Sequence, residues 1–293
     1  MAKRWRWLWV LVILAGCGAP AKTGVNLERE AIASNAAGYN YYRQGQWDLA
    51  QARFEQALAY NQLIDRRRGV ATNLNNLGAI AQGRGHLDLA VRDFNKALTV
   101  SRELQDPAII CETLNNLGLA YQSQGRLQEA ETAYREALDQ ARILGPGPLT
   151  ALTLIHLGDV ARGHKDYMQA LNYYHRALAM DIGAHDQPGR AMGQERLGRT
   201  FMDLKEYDRS AMYLKEALKE FRRLQDANGI ATTLKDLTLL GLARGDLEEA
   251  RLNGDLLLGI YQTRGQEREA QELKALLKGA GRPTLPAFPP SSP

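Results

Sequence analysis

Histidines and cysteines are the residues of this chain that would first suggest catalysis or metal binding. The five histidines are His86, His156, His164, His175 and His185. They lie in different predicted helices or turns, without the spacing of a metal site or of a base beside a nucleophile. The sequence also lacks a His-Glu-x-x-His motif, a phosphate-binding loop and a Gly-x-Ser-x-Gly turn. We therefore expect no catalytic residue, no metal ligand, no cofactor and no enzymatic activity.

Cys111 is the cysteine that lies inside the folded part of the chain. It shares a 40-residue spacing with five alanines: Ala31, Ala71, Ala151, Ala191 and Ala231. A position that repeatedly takes a small residue is typical of a packed interior, where a free cysteine behaves as a small apolar side chain. We predict a buried Cys111 without a redox or catalytic role.

The element that would have to position any functional side chain is a repeat of 40 residues. Leu74–Gly78 reads Leu-Asn-Asn-Leu-Gly, and Leu114–Gly118 repeats it. The glycine recurs at Gly38, Gly158 and Gly198, and a second column of small residues is Ala50, Ala90, Ala130, Ala170, Ser210 and Ala250. Self-similarity at a fixed period of this size predicts a stacked repeat architecture.

Each repeat has the pattern of two helices joined by a turn. Leu114, Leu117 and Tyr121 have i, i+3, i+7 spacing, which predicts a first helix that ends at the turn 123–126. A second helix follows from Leu127. A glycine inside a helix costs about 1 kcal/mol relative to alanine, so Gly118 predicts close contact with the second helix, where the small column at Ala130 would leave room.

The repeat resembles the tetratricopeptide repeat (TPR). The matching residues are Leu117, Gly118, Tyr121, Gly125, Ala130, Tyr134 and Ala137. The resemblance implies an all-α solenoid of about six TPR hairpins in a right-handed superhelix, and the longer unit is similar to that of Pins-type and kinesin-light-chain-type adaptors. The predicted units are 27–66, 67–106, 107–146, 147–186, 187–226 and 227–265, followed by a capping helix over 266–278 and a Pro-rich disordered tail over 279–293.

The N-terminus predicts export and a lipid anchor. Residues 1–16 combine basic residues with an apolar run too short to span a bilayer, which is typical of a signal peptide. Residues 14–17, Leu-Ala-Gly-Cys, resemble the lipobox of bacterial lipoproteins, which implies an acylated (for example palmitoylated) Cys17 and attachment to a membrane through a flexible tether over 17–26. Gly18 instead of Asp implies the outer membrane, facing the periplasm. An ordinary cleaved signal or a short uncleaved anchor remains the alternative.

Loss of the signal peptide also changes the charge of the chain. The net charge is +4 and the pI is about 9.0, but residues 1–16 carry three basic residues and no acidic one, so +1 remains. Without zinc-finger spacing or an RNA-reading aromatic motif, we expect no nucleic acid partner. Lipidation of Cys17 would leave Cys111 as a lone thiol, which excludes an intramolecular disulfide.

The resemblance implies that the first helix of each hairpin lines a concave groove for a protein or extended peptide. The groove residues that it predicts are Asn35, Tyr39, Tyr42, Asn75, Gln82, Asn115, Gln122, Asp159, Arg162, Glu195, Arg199 and Lys235. Amide side chains such as Asn75 and Asn115 would pair with a peptide backbone. The alternative is that these asparagines satisfy polar groups of the repeat itself. We expect His156, which takes the place of Asn116, to share its surface role.

The function that the resemblance implies is that of a membrane-anchored adaptor or scaffold. Similar TPR lipoproteins scaffold cell-wall hydrolases and proteases, or act in type IV pilus and secretin assembly. The alternative is a TPR domain that senses peptides or small ligands. The Lys and Asn pattern of the carboxylate clamps in chaperone-binding TPR domains is absent, so recognition of a free peptide C-terminus is not predicted.

Overall fold

The computed structural model describes residues 24–279 and shows thirteen helices there, without a β-strand. The chain divides after Arg66 into a first unit and a second unit. The first unit contains α1 (Gly24–Arg43) and α2 (Trp47–Leu63). The predicted signal peptide, Cys17 and the residues of the predicted tail after Gly279 lie outside the described residues. The last three residues of the predicted tether, Gly24–Asn26, belong to α1.

The second unit contains five further helical hairpins and a final single helix. Its helices are α3 (Arg67–Gly83), α4 (Leu87–Glu103), α5 (Pro107–Ser123), α6 (Leu127–Leu144), α7 (Pro148–Gly163), α8 (Tyr167–Gly183), α9 (Gln187–Asp203), α10 (Tyr207–Arg223), α11 (Ala227–Arg244), α12 (Leu247–Thr263) and α13 (Glu267–Gly279). Each of the six predicted repeats thus holds one pair of helices. The prediction of an all-α solenoid is confirmed.

Local sequence signals set the helix ends. The carboxylate of Asp106 accepts hydrogen bonds from the backbone N–H groups of Ala108 and Ile109, and Pro107 occupies the first helical position of α5. Asp106 is therefore the N-cap of α5. Within the hairpin turns a left-handed residue reverses the chain, for example Gly125 at φ 74° or Lys165 at φ 63°.

The glycine column marks a close contact with the second helix of the hairpin, as predicted. A Cβ atom on Gly78 would lie 2.6 Å from the ring of Phe94, and one on Gly118 would overlap the ring of Tyr134. The glycines thus leave room for a large buried side chain of the second helix. Ala130, one turn before Tyr134 on that helix, is fully buried.

The core of the second unit lies within each hairpin and between successive hairpins. Around α6 to α9 it includes Tyr134, Leu154 and Tyr174, which are fully buried. At the C-terminal end Leu273 of α13 joins the core formed by α10, α11 and α12. None of the helices within residues 24–279 is long and apolar enough to cross a membrane.

A candidate binding face on the first helices

The first helices of consecutive hairpins in the second unit pack side by side, with contacts from α3 to α5, α5 to α7, α7 to α9 and α9 to α11. They expose a continuous set of side chains that we call the first-helix face. Its members are Gln82, Glu112, Asn116, Leu119, Gln122, Asp159, Arg162, Met192, Arg196, Arg199, Met202, Lys235 and Leu239. The face therefore includes six of the predicted groove residues of this unit, which are Gln82, Gln122, Asp159, Arg162, Arg199 and Lys235.

Three further predicted residues belong to the first unit. Tyr39 and Tyr42 are exposed, and each makes an edge-on contact with an aromatic ring of α2, Phe54 and Trp47 respectively, at a centroid distance of 5.3 Å. Asn35 is half-buried on the same helix. The two tyrosine rings are therefore held in place by α2 while their edges remain accessible to solvent.

Asn115 is buried between two first helices. Its side-chain N–H₂ group donates to the carbonyl oxygen of Cys111 at 3.1 Å and to the hydroxyl of Thr153 on α7 at 2.8 Å. Only 2% of Asn115 is exposed, and Cys111 is buried as predicted, where desolvation raises the pKa of its thiol. These contacts favour the structural alternative for Asn115, because its N–H₂ group already links two neighbouring first helices.

Asn75 has a similar position between α3 and α5. Its side chain is buried, donates to Glu112 at 3.3 Å and accepts from Asn116 at 3.2 Å. Glu112 is exposed, yet desolvation by the surrounding protein raises its pKa. Asn116 and Glu112, rather than Asn75, are the residues through which this part of the face meets solvent.

His156 has no surface role, so that expectation was wrong. Its ring stacks on Tyr134 with a centroid distance of 5.0 Å and an interplanar angle of 18°, and only 8% of the residue is exposed. The pKa of His156 is lowered to about 4, chiefly by burial, with a smaller lowering by Arg196 and an opposing effect of Asp159. His156 is therefore neutral near pH 7. The amide contacts lie on α3 and α5, before His156 in the chain, and we call these helices the amide part of the face. The ion pairs lie on α7, α9 and α11, which we call the ionic part.

Arg196 is the centre of the ionic part, which lies on α7, α9 and α11. Its Nε lies 2.9 Å from Oδ1 of Asp159, and its guanidinium also pairs with Glu195. The hydroxyl of Tyr174 donates to Asp159 at 2.7 Å. Burial acts to lower the pKa of Arg196, but Asp159 and Glu195 overcome it and raise that pKa. The arginine is therefore permanently charged and holds α7 against α9.

Two further arginines extend the ionic part on either side. Arg162 binds Asp203 with an Nε to Oδ2 distance of 2.6 Å. Arg199 lies 3.4 Å from Glu195 and 3.8 Å from Asp236, measured between nitrogen and oxygen. Both of these carboxyl groups are buried, and desolvation together with the neighbouring Glu195 raises the pKa of Asp236 well above its ordinary value. Such a close pair of carboxyl groups favours retention of a proton.

Sequence reasoning missed Arg196, Asp236 and Tyr174. A signal for the first two was available, because they occupy the same repeat position as Asn76, Asn116 and His156. A column that changes from amide to imidazole, guanidinium and carboxyl in successive repeats marks a position where polar groups of adjacent first helices meet. Within residues 24–279 no three His, Cys, Asp or Glu side chains are arranged to hold a metal ion. The face is built to present polar and charged groups for noncovalent contacts.

The sequence matches the family described as "Tetratricopeptide repeat" over residues 28–103 and 109–182, and a second profile of the same description matches residues 155–228. The chain belongs to the tetratricopeptide repeat family. No curated protein matches it.

Several solved structures share the fold at low sequence identity. A Rap protein complexed with Competence and Sporulation Factor is 15% identical, with a TM-score of 0.67 over 89% of this chain and 76% of that one. PilW, a type IV pilus biogenesis factor, is 19% identical, with a TM-score of 0.60 over 84% of this chain and 98% of that one. PilF of Pseudomonas aeruginosa is 21% identical, with a TM-score of 0.55 over 85% and 99% of the two chains.

Proposed function

We propose that this protein is a membrane-anchored adaptor of the bacterial cell envelope that binds protein or peptide partners on the first-helix face and catalyses no reaction. The observation that carries the proposal is the continuous, partly exposed polar face of α3, α5, α7, α9 and α11. The family to which the chain belongs uses stacked hairpins to form extended binding surfaces. The face offers both amide and charged groups, which suits contacts with a polypeptide.

The anchor in this proposal is the lipid on Cys17. More than one acyl chain gives stable attachment to a membrane, whereas a single chain gives marginal attachment. The Cys17→Ser variant should leave the membrane fraction and lose incorporation of a labelled fatty acid. Continued lipid labelling of this variant would contradict the anchor, and the binding role would then have to stand without it.

Partner binding is tested by crosslinking in cells. A photoreactive residue at position 112, on the first-helix face, should crosslink to discrete envelope proteins. A photoreactive residue at position 135 on α6 is the matched control, because Arg135 is exposed on a second helix. Likeness to PilW, a type IV pilus biogenesis factor, supports pilus assembly as the pathway, and cell-wall hydrolases are the other expected class of partner. Identical products from positions 112 and 135, or products from neither, would contradict the proposed site.

The second candidate is a domain that senses a peptide or a small ligand. It is favoured by the structural likeness to the Rap protein whose complex with Competence and Sporulation Factor is known. Sensing predicts that short peptides raise the melting temperature of the purified protein, whereas folded envelope proteins do not. An adaptor predicts that a folded envelope protein also raises the melting temperature, so the absence of any shift with folded partners would favour sensing.

A further inference from the structure

We propose that the part of the first-helix face on α9 and α11 binds the carboxylate groups of an acidic peptide. This inference rests on the proposed function, since it names the chemistry of a ligand for that same face. It follows from which charges are already paired and which are still accessible.

The carboxylates of this region already have arginine partners. Asp159 accepts from Arg196, and Asp203 accepts from Arg162 at 2.6 Å. Glu195 is 3% exposed and pairs with both Arg196 and Arg199. Asp236 is 5% exposed, so it is not presented to a ligand either. An incoming cation would therefore have to displace an arginine from each acidic group.

In the part of the chain that the structure describes, the accessible cationic side chains of this region have no acidic partner or only distant ones. Lys235 is exposed on α11 and has no ion-pair partner among residues 24–279. Arg199 on the neighbouring α9 reaches its two acidic partners only at 3.4 and 3.8 Å, which are long for hydrogen bonds. The charge available to a ligand here is thus positive. Such a surface attracts carboxylates and repels basic ligands.

The neighbouring apolar residues favour a peptide over a small free acid. Met202 of α9 and Leu239 of α11 are half-buried on the same face, and Leu239 lies one helical turn from Lys235. Methionine adapts its shape to different apolar partners. A chain that carries an acidic side chain next to an aliphatic one can use both kinds of contact, which a single carboxylate cannot do.

The test is selection from a random peptide library displayed on phage, with the full chain purified in detergent as the target. Peptides enriched by the unmodified protein should carry a net negative charge relative to the unselected library. Lys235→Glu should remove this bias. Lys274→Glu is the matched control, because Lys274 is exposed on α13, is not one of the residues that define the face, and the substitution changes the net charge equally. The control should keep the bias.

A synthetic copy of an enriched peptide gives the second measurement. Its affinity should fall about tenfold in Lys235→Glu and less than about twofold in Lys274→Glu, and it should weaken as salt is added. The free-acid and amidated forms of the peptide distinguish side-chain carboxylates from the C-terminal one. Enrichment of neutral or basic peptides, or an equal bias in Lys235→Glu, would overturn this inference and leave peptide binding intact. Failure of every target to enrich any peptide would overturn both.

Discussion

Neighbouring first helices are linked by different interactions in the two parts of the first-helix face. On α3 and α5, neutral amides link neighbouring repeats, as in the contact of Asn116 with Asn75. On α7, α9 and α11, buried ion pairs around Arg196 do so. The backbone packing is alike in both parts, because Gly118 and Gly158 each accommodate a tyrosine ring. The repeat scaffold therefore tolerates an exchange of amide groups for ion pairs between neighbouring first helices.

Removal of the central arginine should have the largest effect. Arg196→Met would leave Asp159 and Glu195 without their main counter-ion, which should lower the free energy of unfolding by about 3 to 5 kcal/mol. Arg135→Met is the control, because Arg135 pairs with Glu131 at an exposed site and should cost less than about 0.5 kcal/mol. Urea denaturation followed by circular dichroism measures both. A loss below about 1 kcal/mol for Arg196→Met would mean that the ion pairs of Arg196 contribute no more to the free energy of unfolding than an exposed ion pair does.

Overpacking of the glycine column should have nearly as large an effect, and an equal one in the two parts. Gly118→Leu and Gly158→Leu each drive a side chain into a buried tyrosine ring, which should cost about 3 kcal/mol. Gly163→Leu is the control, since a Cβ there meets no atom within 4 Å. Thermal unfolding compares the three variants. Unequal losses at positions 118 and 158 would show that the two parts do not share one scaffold.

The boundary between the two parts should respond to pH through His156. Its pKa is about 4 in the folded protein and about 6.5 in an unfolded chain. Because the folded-state value is lower, the unfolded state takes up the proton first, and stability is lost as the pH falls from 6.5 towards 4. Between pH 7 and pH 5 this loss should be about 2 kcal/mol.

His156→Gln provides the comparison for this prediction, because it removes the titrating group. The difference between wild type and variant isolates the histidine from Asp236 and other groups with raised pKa values. When the pH falls from 7 to 5, the wild type should lose about 2 kcal/mol more unfolding free energy than His156→Gln does. Parallel changes in the two proteins would contradict a buried neutral His156.

The amide part should show the smallest effect. Asn115→Ala removes the contact with Thr153 and should cost about 1 kcal/mol. Asn95→Ala is the matched control, because Asn95 also donates to a carbonyl four residues earlier but is exposed on α4. Differential scanning calorimetry compares their melting temperatures. A stability of Asn115→Ala equal to that of the control would mean that the contact of Asn115 with Thr153 does not stabilise the stacking of the repeats.

The sequence predicted the hairpins well, because their signals are local and repeated. Apolar spacing, turn glycines and the Asp106 cap occur at fixed intervals, so each repeat supports the same interpretation of the others. The site was less predictable. Asn115 and His156 have polar side chains on first helices, and no local pattern distinguishes a polar group that faces solvent from one that faces the next helix.

What the sequence determined by itself was the TPR family, the period and the helix ends, since these follow from propensity and spacing within about 40 residues. Only the tertiary structure decided that Gly118 and Gly158 meet tyrosine rings, that Asn115 and His156 are buried, and that Arg196 is central. These outcomes depend on contacts between different helices, such as the ion pair of Arg196 with Asp159 in neighbouring repeats. The distance between their side chains is set by how adjacent hairpins stack, and a linear pattern does not contain it.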